Sequence, residues 1–234
     1  MNLQWRAILP RAKLHNRRVK FAIFALLFLT GCATLKQCAY EGYNRDEWQQ
    51  PQRVIESLQI LPGAVVADLG SGSGYFTFDL AKAVGPTGKV YAVDIDRDMT
   101  DLVAKRAKER GISNVEVILA RADDPRLPLQ GVNLILTVDT YHHLENRVSY
   151  FANLQKYLRP GGRIAIIEFD RRASLAGLWR HYTPGEFIKR EVEQAGYGLQ
   201  REFDFLDRQS FLIFTPRGQP AKPLIPANPG SQSS

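Results

Sequence analysis

Two aspartates and a run of glycines have the types and spacing to do chemistry in this chain. In Val65-Val66-Ala67-Asp68-Leu69-Gly70-Ser71-Gly72-Ser73-Gly74 an acid closes an apolar stretch, and three glycines follow at alternate positions. A second acid, Asp94, closes the next apolar stretch, Lys89 to Val93. Alternating glycines permit a sharp turn and leave no side chains between the backbone and a ligand. In an open parallel sheet such a turn lies at the carboxyl edge of the strands, where these folds bind ligands. Asp94, one strand further on, is placed to accept hydrogen bonds from a ribose, so the expected ligand contains a nucleoside. The dinucleotide pattern G-x-G-x-x-G fails in both registers, because Tyr75 or Thr77 stands where the third glycine belongs. Asp68 would also repel a pyrophosphate, whereas it suits a ligand with an ammonium group. S-adenosylmethionine has an amino-acid end, a sulfonium and no phosphate.

The elements that must position these residues alternate strand and helix. Hydrophobic spacing predicts a helix over Asp46 to Ile60, a strand over Ala64 to Leu69 and a helix over Tyr75 to Val84, stopped by Gly85-Pro86. The second strand runs to Val93. An amphipathic helix over Asp98 to Arg110 leads to a third strand, Val115 to Leu119. Val132 to Val138 is apolar almost throughout, as a central strand covered on both faces should be. A helix over Arg147 to Leu158, a strand over Arg163 to Phe169 and a helix over Pro184 to Ala195 follow. Leu199 to Phe205 and Ser210 to Phe214 flank a short turn and read as an antiparallel hairpin.

From roughly Arg45 to Phe214 this order of motifs resembles the class I S-adenosylmethionine-dependent methyltransferases. The matching pieces are Asp68 to Gly74, Asp94 with Ile95, the strand Val132 to Val138, His142-His143-Leu144, and Leu158-Arg159-Pro160-Gly161-Gly162-Arg163. The flavour is that of the branch holding ubiquinone/menaquinone-biosynthesis-like and generic small-molecule enzymes. The resemblance implies an α/β fold: a Rossmann-like, doubly wound, seven-stranded and mostly parallel sheet with a C-terminal antiparallel hairpin, spanning residues 45–215. It implies S-adenosyl-L-methionine as cofactor, with Asp68, Gly70, Ser71, Gly72 and Gly74 at its methionine end and Asp94 on its ribose. Thr77 either touches the amino-acid end or packs, and Ile95 either packs on adenine or joins the core. Relatives often carry an acid or amide pair where Ala120-Arg121 stands; here Asp123, or the backbone at Ala122, is left to read the adenine. Val138 borders the cofactor.

His142 and His143 are the candidate catalytic residues. Histidine titrates near neutrality and can serve as general base for a hydroxyl acceptor; the bland alternative is a helix-entry or packing role. In-line displacement draws most of its help from alignment, so oxygen, carbon and nitrogen acceptors all stay open. Glu168 and Asp170 close the fifth strand beside the expected acceptor pocket, and Trp179, His181 and Tyr182 are placed to form a lid. Two rival readings remain: a non-catalytic envelope lipoprotein that binds a nucleoside-like ligand, and a protein-repair methyltransferase, suggested by Gly72-Ser73-Gly74-Tyr75.

The formal charge of +7 is concentrated at one end. Residues 1–31 carry Arg6, Arg11, Lys13, Arg17, Arg18 and Lys20 and no acid, so the rest of the chain keeps only +1. That argues against a nucleic-acid partner. The basic segment precedes the apolar run Phe21 to Thr30 and ends in Leu29-Thr30-Gly31-Cys32, which resembles a bacterial lipoprotein signal peptide with Cys32 as the lipidated residue. The expected organisation is a signal peptide (1–31), a lipid-anchored tether (32–44), the methyltransferase domain and a disordered Pro-rich tail (216–234). The protein would then face the periplasm from the bacterial envelope, or stay cytoplasmic if the leader does not function. No cysteine follows Cys38, so the domain has neither a disulfide framework nor a cysteine metal site.

Overall fold

A computed structural model of the chain describes residues 44–172 and 182–218. The leader, Cys32, Trp179, His181 and residues 219–234 lie outside the described residues. Seven strands form one sheet: β1 (Val65–Leu69), β2 (Lys89–Asp94), β3 (Val115–Leu119), β4 (Val132–Val138), β5 (Leu158–Phe169), β6 (Tyr197–Phe203) and β7 (Gln209–Pro216). Their order is β3-β2-β1-β4-β5-β7-β6, with parallel pairing except where β7 meets β5 and β6. This is the doubly wound sheet with a terminal hairpin that the motif order implies. The winding reverses between β1 and β4, and open α/β sheets bind ligands at such a switch.

Successive residues of the central strands point to opposite faces, and each face has its own core. Ala67, Leu69, Ile135, Ile164 and Ile166 pack with Phe151 and Leu154 of α5 (Arg147–Leu154) and with Ile188 and Val192 of α6 (Gly185–Gln194). Val66, Leu134, Leu136, Ala165 and Ile167 pack instead with Val54 of α2 (Pro51–Ser57) and with Leu80 and Val84 of α3 (Thr77–Val84). Burial on both faces explains why β4 shows no polar alternation. The remaining long helix, α4 (Arg97–Glu109), lies against β2 and β3, its first turn capped by the Asp96 side chain accepting the Asp98 N–H at 2.9 Å.

Several boundaries differ from the sequence pattern, and three of them have local reasons. The helix expected over Asp46 to Ile60 is two helices, α1 (Arg45–Gln49) and α2. Pro51 has no N–H to give and disfavours a helical residue before it. Gln50 leaves the helix in left-handed backbone at φ 46°, ψ 57°, and its Nε2 donates to Phe205 O at 3.0 Å. β5 begins five residues early, because Leu158 already pairs with Val132 and the irregularity around Pro160-Gly161-Gly162 is absorbed inside the strand. β7 extends to Pro216, opposite Tyr197.

Candidate functional site

The carboxyl ends of β1, β2, β4 and β5 share one edge of the sheet. Because β7 runs antiparallel to β5, its first residue lies there too, Gln209 opposite Phe169. Asp68, Asp94, Asp139, Glu168 and Gln209 therefore come from five strands to one edge.

The glycine turn is held from β2. The Gly70 and Ser71 N–H groups donate to Val93 O at 2.8 and 3.1 Å. Asp94 Oδ2 accepts the Gly72 N–H at 2.8 Å, and Asp94 Oδ1 accepts the Asp96 N–H at 2.9 Å. Asp94 thus organises the loop as well as facing the edge. Gly70 (φ 78°), Gly72 (φ 51°) and Gly74 (φ 86°) occupy left-handed backbone. A Cβ on Gly70 would stand 2.1 Å from Thr140 Oγ1, so the turn after β4 is packed directly on the loop. Ser71 Oγ is buried and has no hydrogen-bond partner among the described residues. A buried hydroxyl in that state is costly unless a ligand satisfies it.

Asp68 is 3% exposed and accepts a 2.6 Å hydrogen bond from Thr77 Oγ1. Burial pushes its carboxyl up to about 6; the neighbouring Asp94 adds to this, while Thr77 and the Arg45 charge oppose it. Ile95 is 67% exposed beside Asp94, so it is not part of the core. Ala122 and Asp123 are exposed at the tip of a turn in which Arg121 and Asp124 exchange backbone hydrogen bonds of 2.9 and 3.3 Å. Ala120 N–H ties that turn to Asp94 O at 2.8 Å. Val138 is buried at the end of β4.

Asp139, the first residue after β4, carries no role in the sequence pattern. Asp139 is left-handed at φ 52°, an unusual conformation for a residue other than glycine. Its Oδ1 accepts from Gln209 Nε2 at 2.6 Å and its Oδ2 from Gln49 Nε2 at 3.3 Å. Arg45 Nη2 lies 3.8 Å from Oδ2. Burial pushes the Asp139 carboxyl up to about 7, and nearby Glu168 adds to that; Arg45 and the two glutamines oppose it. The Arg45 guanidinium also stands 4.0 Å over the Tyr75 ring, and burial lowers its pKa against the pull of Asp139, Tyr75 and Asp68. Asp139 was visible as a third acid after a strand. Gln209, Gln49 and Arg45 carry no motif, and only the hairpin and the Pro51 break bring them here.

His142 is gripped by Glu168, which is fully buried. Its Nδ1 is 2.9 Å from Glu168 Oε1, and its backbone N–H donates to Oε2 at 3.2 Å. His143 is exposed, its ring centroid 3.9 Å from that of His142. Both belong to a 3-10 turn, Tyr141 to His143, which is fastened to α6: Tyr141 OH donates to Glu191 Oε2 at 2.6 Å, and Arg147 binds both Glu191 oxygens at 2.7 and 3.0 Å. Asp170 accepts from Ser210 Oγ at 2.9 Å, and Tyr182 is half-buried just after the undescribed segment. Trp48 and Phe169, both half-buried, face each other at 5.5 Å nearby. Among the described residues no group of three His, Cys, Asp or Glu could hold a metal ion, and no helix is long and apolar enough to cross a membrane.

Residues 60–196 match a family model described as a methyltransferase domain. The ubiquinone/menaquinone biosynthesis C-methyltransferase UbiE of Shewanella pealeana is 30% identical over 118 residues, 50% of this chain and 47% of that protein. Aklanonic acid methyltransferase DauC of a Streptomyces species is 31% identical over 136 residues, covering 58% and 60%. The chain thus spans about half the length of the UbiE proteins it matches. A crystal structure of a SAM-dependent methyltransferase from Aquifex aeolicus superposes with a TM-score of 0.72 at 24% identity, covering 76% of this chain and 96% of that one.

Proposed function

The chain belongs to the methyltransferase-domain family, and from that premise we propose that it transfers a methyl group from S-adenosyl-L-methionine to a small-molecule acceptor. The observation that carries the reading is the loop itself: two buried acids on adjacent strand ends bracket left-handed glycines and the unpartnered Ser71 hydroxyl. The donor set fits the cofactor, since Asp68 suits an ammonium, Arg45 a carboxylate and Asp94 a ribose diol. Gly70, Ser71, Gly72 and Gly74 give backbone access, and Thr77 holds Asp68 in place. Ile95, Val138 and the turn at Ala122 and Asp123 surround the adenine. When bound, the cofactor supplies an electrophilic methyl carbon on a sulfonium. The protein contributes alignment, which dominates such displacements, with His142 and His143 beside the acceptor.

Calorimetric titration of S-adenosylmethionine into the full-length protein tests this. Because Asp94 also holds Gly72, the informative variant is Asp94→Asn, which keeps one acceptor oxygen. Micromolar binding that this variant weakens at least tenfold supports the site. No binding by the folded wild type sinks it.

The organisation around the domain is part of the same reading. Residues 1–31 act as an export leader, Cys32 carries the lipid, 32–44 form the tether, and the methyltransferase domain occupies 45–215. The support is the basic segment, the apolar run and Leu29-Thr30-Gly31-Cys32. The near-neutral remainder of the chain speaks against a nucleic-acid acceptor.

A further inference from the structure

We propose that Arg163 and Arg201 form an oxyanion site on the face of the sheet that packs on α2 and α3, and that this site takes a phosphate group. Along β5, Ile164 and Ile166 point into one core and Ala165 and Ile167 into the other. Arg163 shares the face of Ala165. It extends toward the end of α2, where its Nη2 donates to Leu58 O and, at 3.4 Å, to Gln59 O. Those contacts cap the helix and use one amino group. Arg163 Nε is buried and has no hydrogen-bond partner among the described residues. A buried charged donor in that state is costly unless an acceptor is supplied.

Arg201 reaches the same face through an irregularity in β6. Leu199 stands opposite Phe214 of β7, and Arg201 stands opposite Ile213, so Gln200 is an extra residue. Without it Arg201 would face Leu212, whose side chain belongs to the opposite core. The bulge turns Arg201 instead into line with Ile213 and Ala165, across β6, β7 and β5. Arg163 is the next residue along β5 on that face. The two Cα atoms are then about 12 Å apart, a span that two arginine side chains close from either end.

Neither arginine has a carboxylate partner among the described residues. Glu202, the next acid along β6, faces the other way and accepts from Lys189 Nζ at 2.6 Å. Burial lowers the Arg163 pKa, and the Arg201 charge lowers it further. Two guanidinium groups brought together against their repulsion are arranged for a shared counter-ion. A phosphate group offers several oxygens to two planar forks and carries enough negative charge for both. The site is separate from the edge that holds the glycine turn: Arg163 lies six residues before Phe169 on β5, about 20 Å away. Free phosphate and the headgroup of a phospholipid present the same chemistry here.

Calorimetric titration of the full-length protein tests this with two probes: inorganic phosphate, and glycerophosphoglycerol, the phosphodiester headgroup of phosphatidylglycerol without its acyl chains. Submillimolar binding of at least one probe is expected, weakened about tenfold or more by Arg201→Gln. Tighter binding of inorganic phosphate assigns the site to free phosphate or a monoester, and tighter binding of the diester assigns it to a lipid headgroup. Saturating phosphate should raise the melting temperature by about 3 °C over chloride of equal ionic strength. Phosphate stabilises proteins generally, so the rise supports the site only as far as Arg201→Gln lacks it. Arg201→Glu supplies the missing carboxylate from the chain itself. Because Arg201 is exposed, both variants should fold; Arg201→Glu should bind neither probe and, without ligand, melt above Arg201→Gln. No binding of either probe by the wild type, or equal affinity in Arg201→Gln, overturns the proposal. Arg201→Glu melting below Arg201→Gln overturns it as well, because the two side chains would then not face each other.

Discussion

At the scale of single residues, the site keeps two carboxyl groups poised to change charge. Asp68 titrates at about 6 and Asp139 at about 7, against an ordinary value of 3.8. A carboxyl raised on folding binds its proton more tightly in the native state. Its contribution to stability is whole below about 3.8 and is lost as pH rises through the raised value. The melting temperature of the ligand-free protein should therefore decline between pH 4 and 7 on account of these groups, and Asp68→Asn should remove the part lost between about pH 4 and 6. An ammonium placed beside Asp68 favours its ionised form. Binding S-adenosylmethionine near pH 6 should then release a fraction of a proton, and at pH 8 none from this group. Calorimetry in two buffers of different ionisation enthalpy measures the release; an unchanged release in Asp68→Asn would contradict the assignment. Gly70 offers a steric test. Alanine there combines positive φ with a Cβ inside van der Waals distance of Thr140, a β-branched neighbour with little room to rotate. Gly70→Ala should cost about 3 kcal/mol by urea unfolding, whereas Gly198→Ala, free of positive φ and with its nearest contact at 3.9 Å, should cost much less.

At the scale of elements, what could be read in advance depended on whether the signal was local. β3 and β4 have the bounds their apolar runs suggest, since both begin and end where side-chain pattern changes. The acids at the ends of β1 and β2 were legible for the same reason, because each stands one strand-length from a glycine or turn signal. Gln209 was not legible: it joins Asp139 across 70 residues only because β7 reverses direction beside β5. Gln49 and Arg45 depend on a helix break, and Pro51 announced a break without saying where α1 would then point. The glutamine pair is the brace between α1 and the sheet edge, with Gln49 Nε2 also donating to Gln209 Oε1 at 3.2 Å. Gln209→Leu removes the 2.6 Å bond to Asp139 and leaves that acid and Gln49 short of partners inside the protein. Loss of about 1–3 kcal/mol follows from unsatisfied buried groups, together with a further rise in the Asp139 pKa, observable by carboxyl-carbon NMR. Stability equal to wild type would mean that the brace carries no weight. Glu191→Gln addresses the opposite side of the same turn. It weakens a bidentate Arg147 pair that is about a quarter exposed, so the effect on unfolding should stay within about 1 kcal/mol.

At the scale of the whole molecule, the basic charge and the chemistry belong to different parts of the chain. A net-charge argument for a polyanion partner fails once residues 1–31 are set aside, because the remaining residues are nearly balanced. Among the described residues, the hydrogen bonds that build the candidate site join residues from Gln49 onward. Anchoring and catalysis should therefore separate cleanly. Expressed in a bacterium fed radiolabelled palmitate, the full-length protein should take up label and sediment with membranes. Cys32→Ser should abolish the label, while Cys38→Ser should retain it, since Cys38 lies beyond the Leu29-Thr30-Gly31-Cys32 box. The detergent-purified Cys32→Ser protein should bind S-adenosylmethionine within about twofold of wild type. Label that persists in Cys32→Ser would refute lipidation at that residue, and a large loss of binding would show that the anchor end shapes the site.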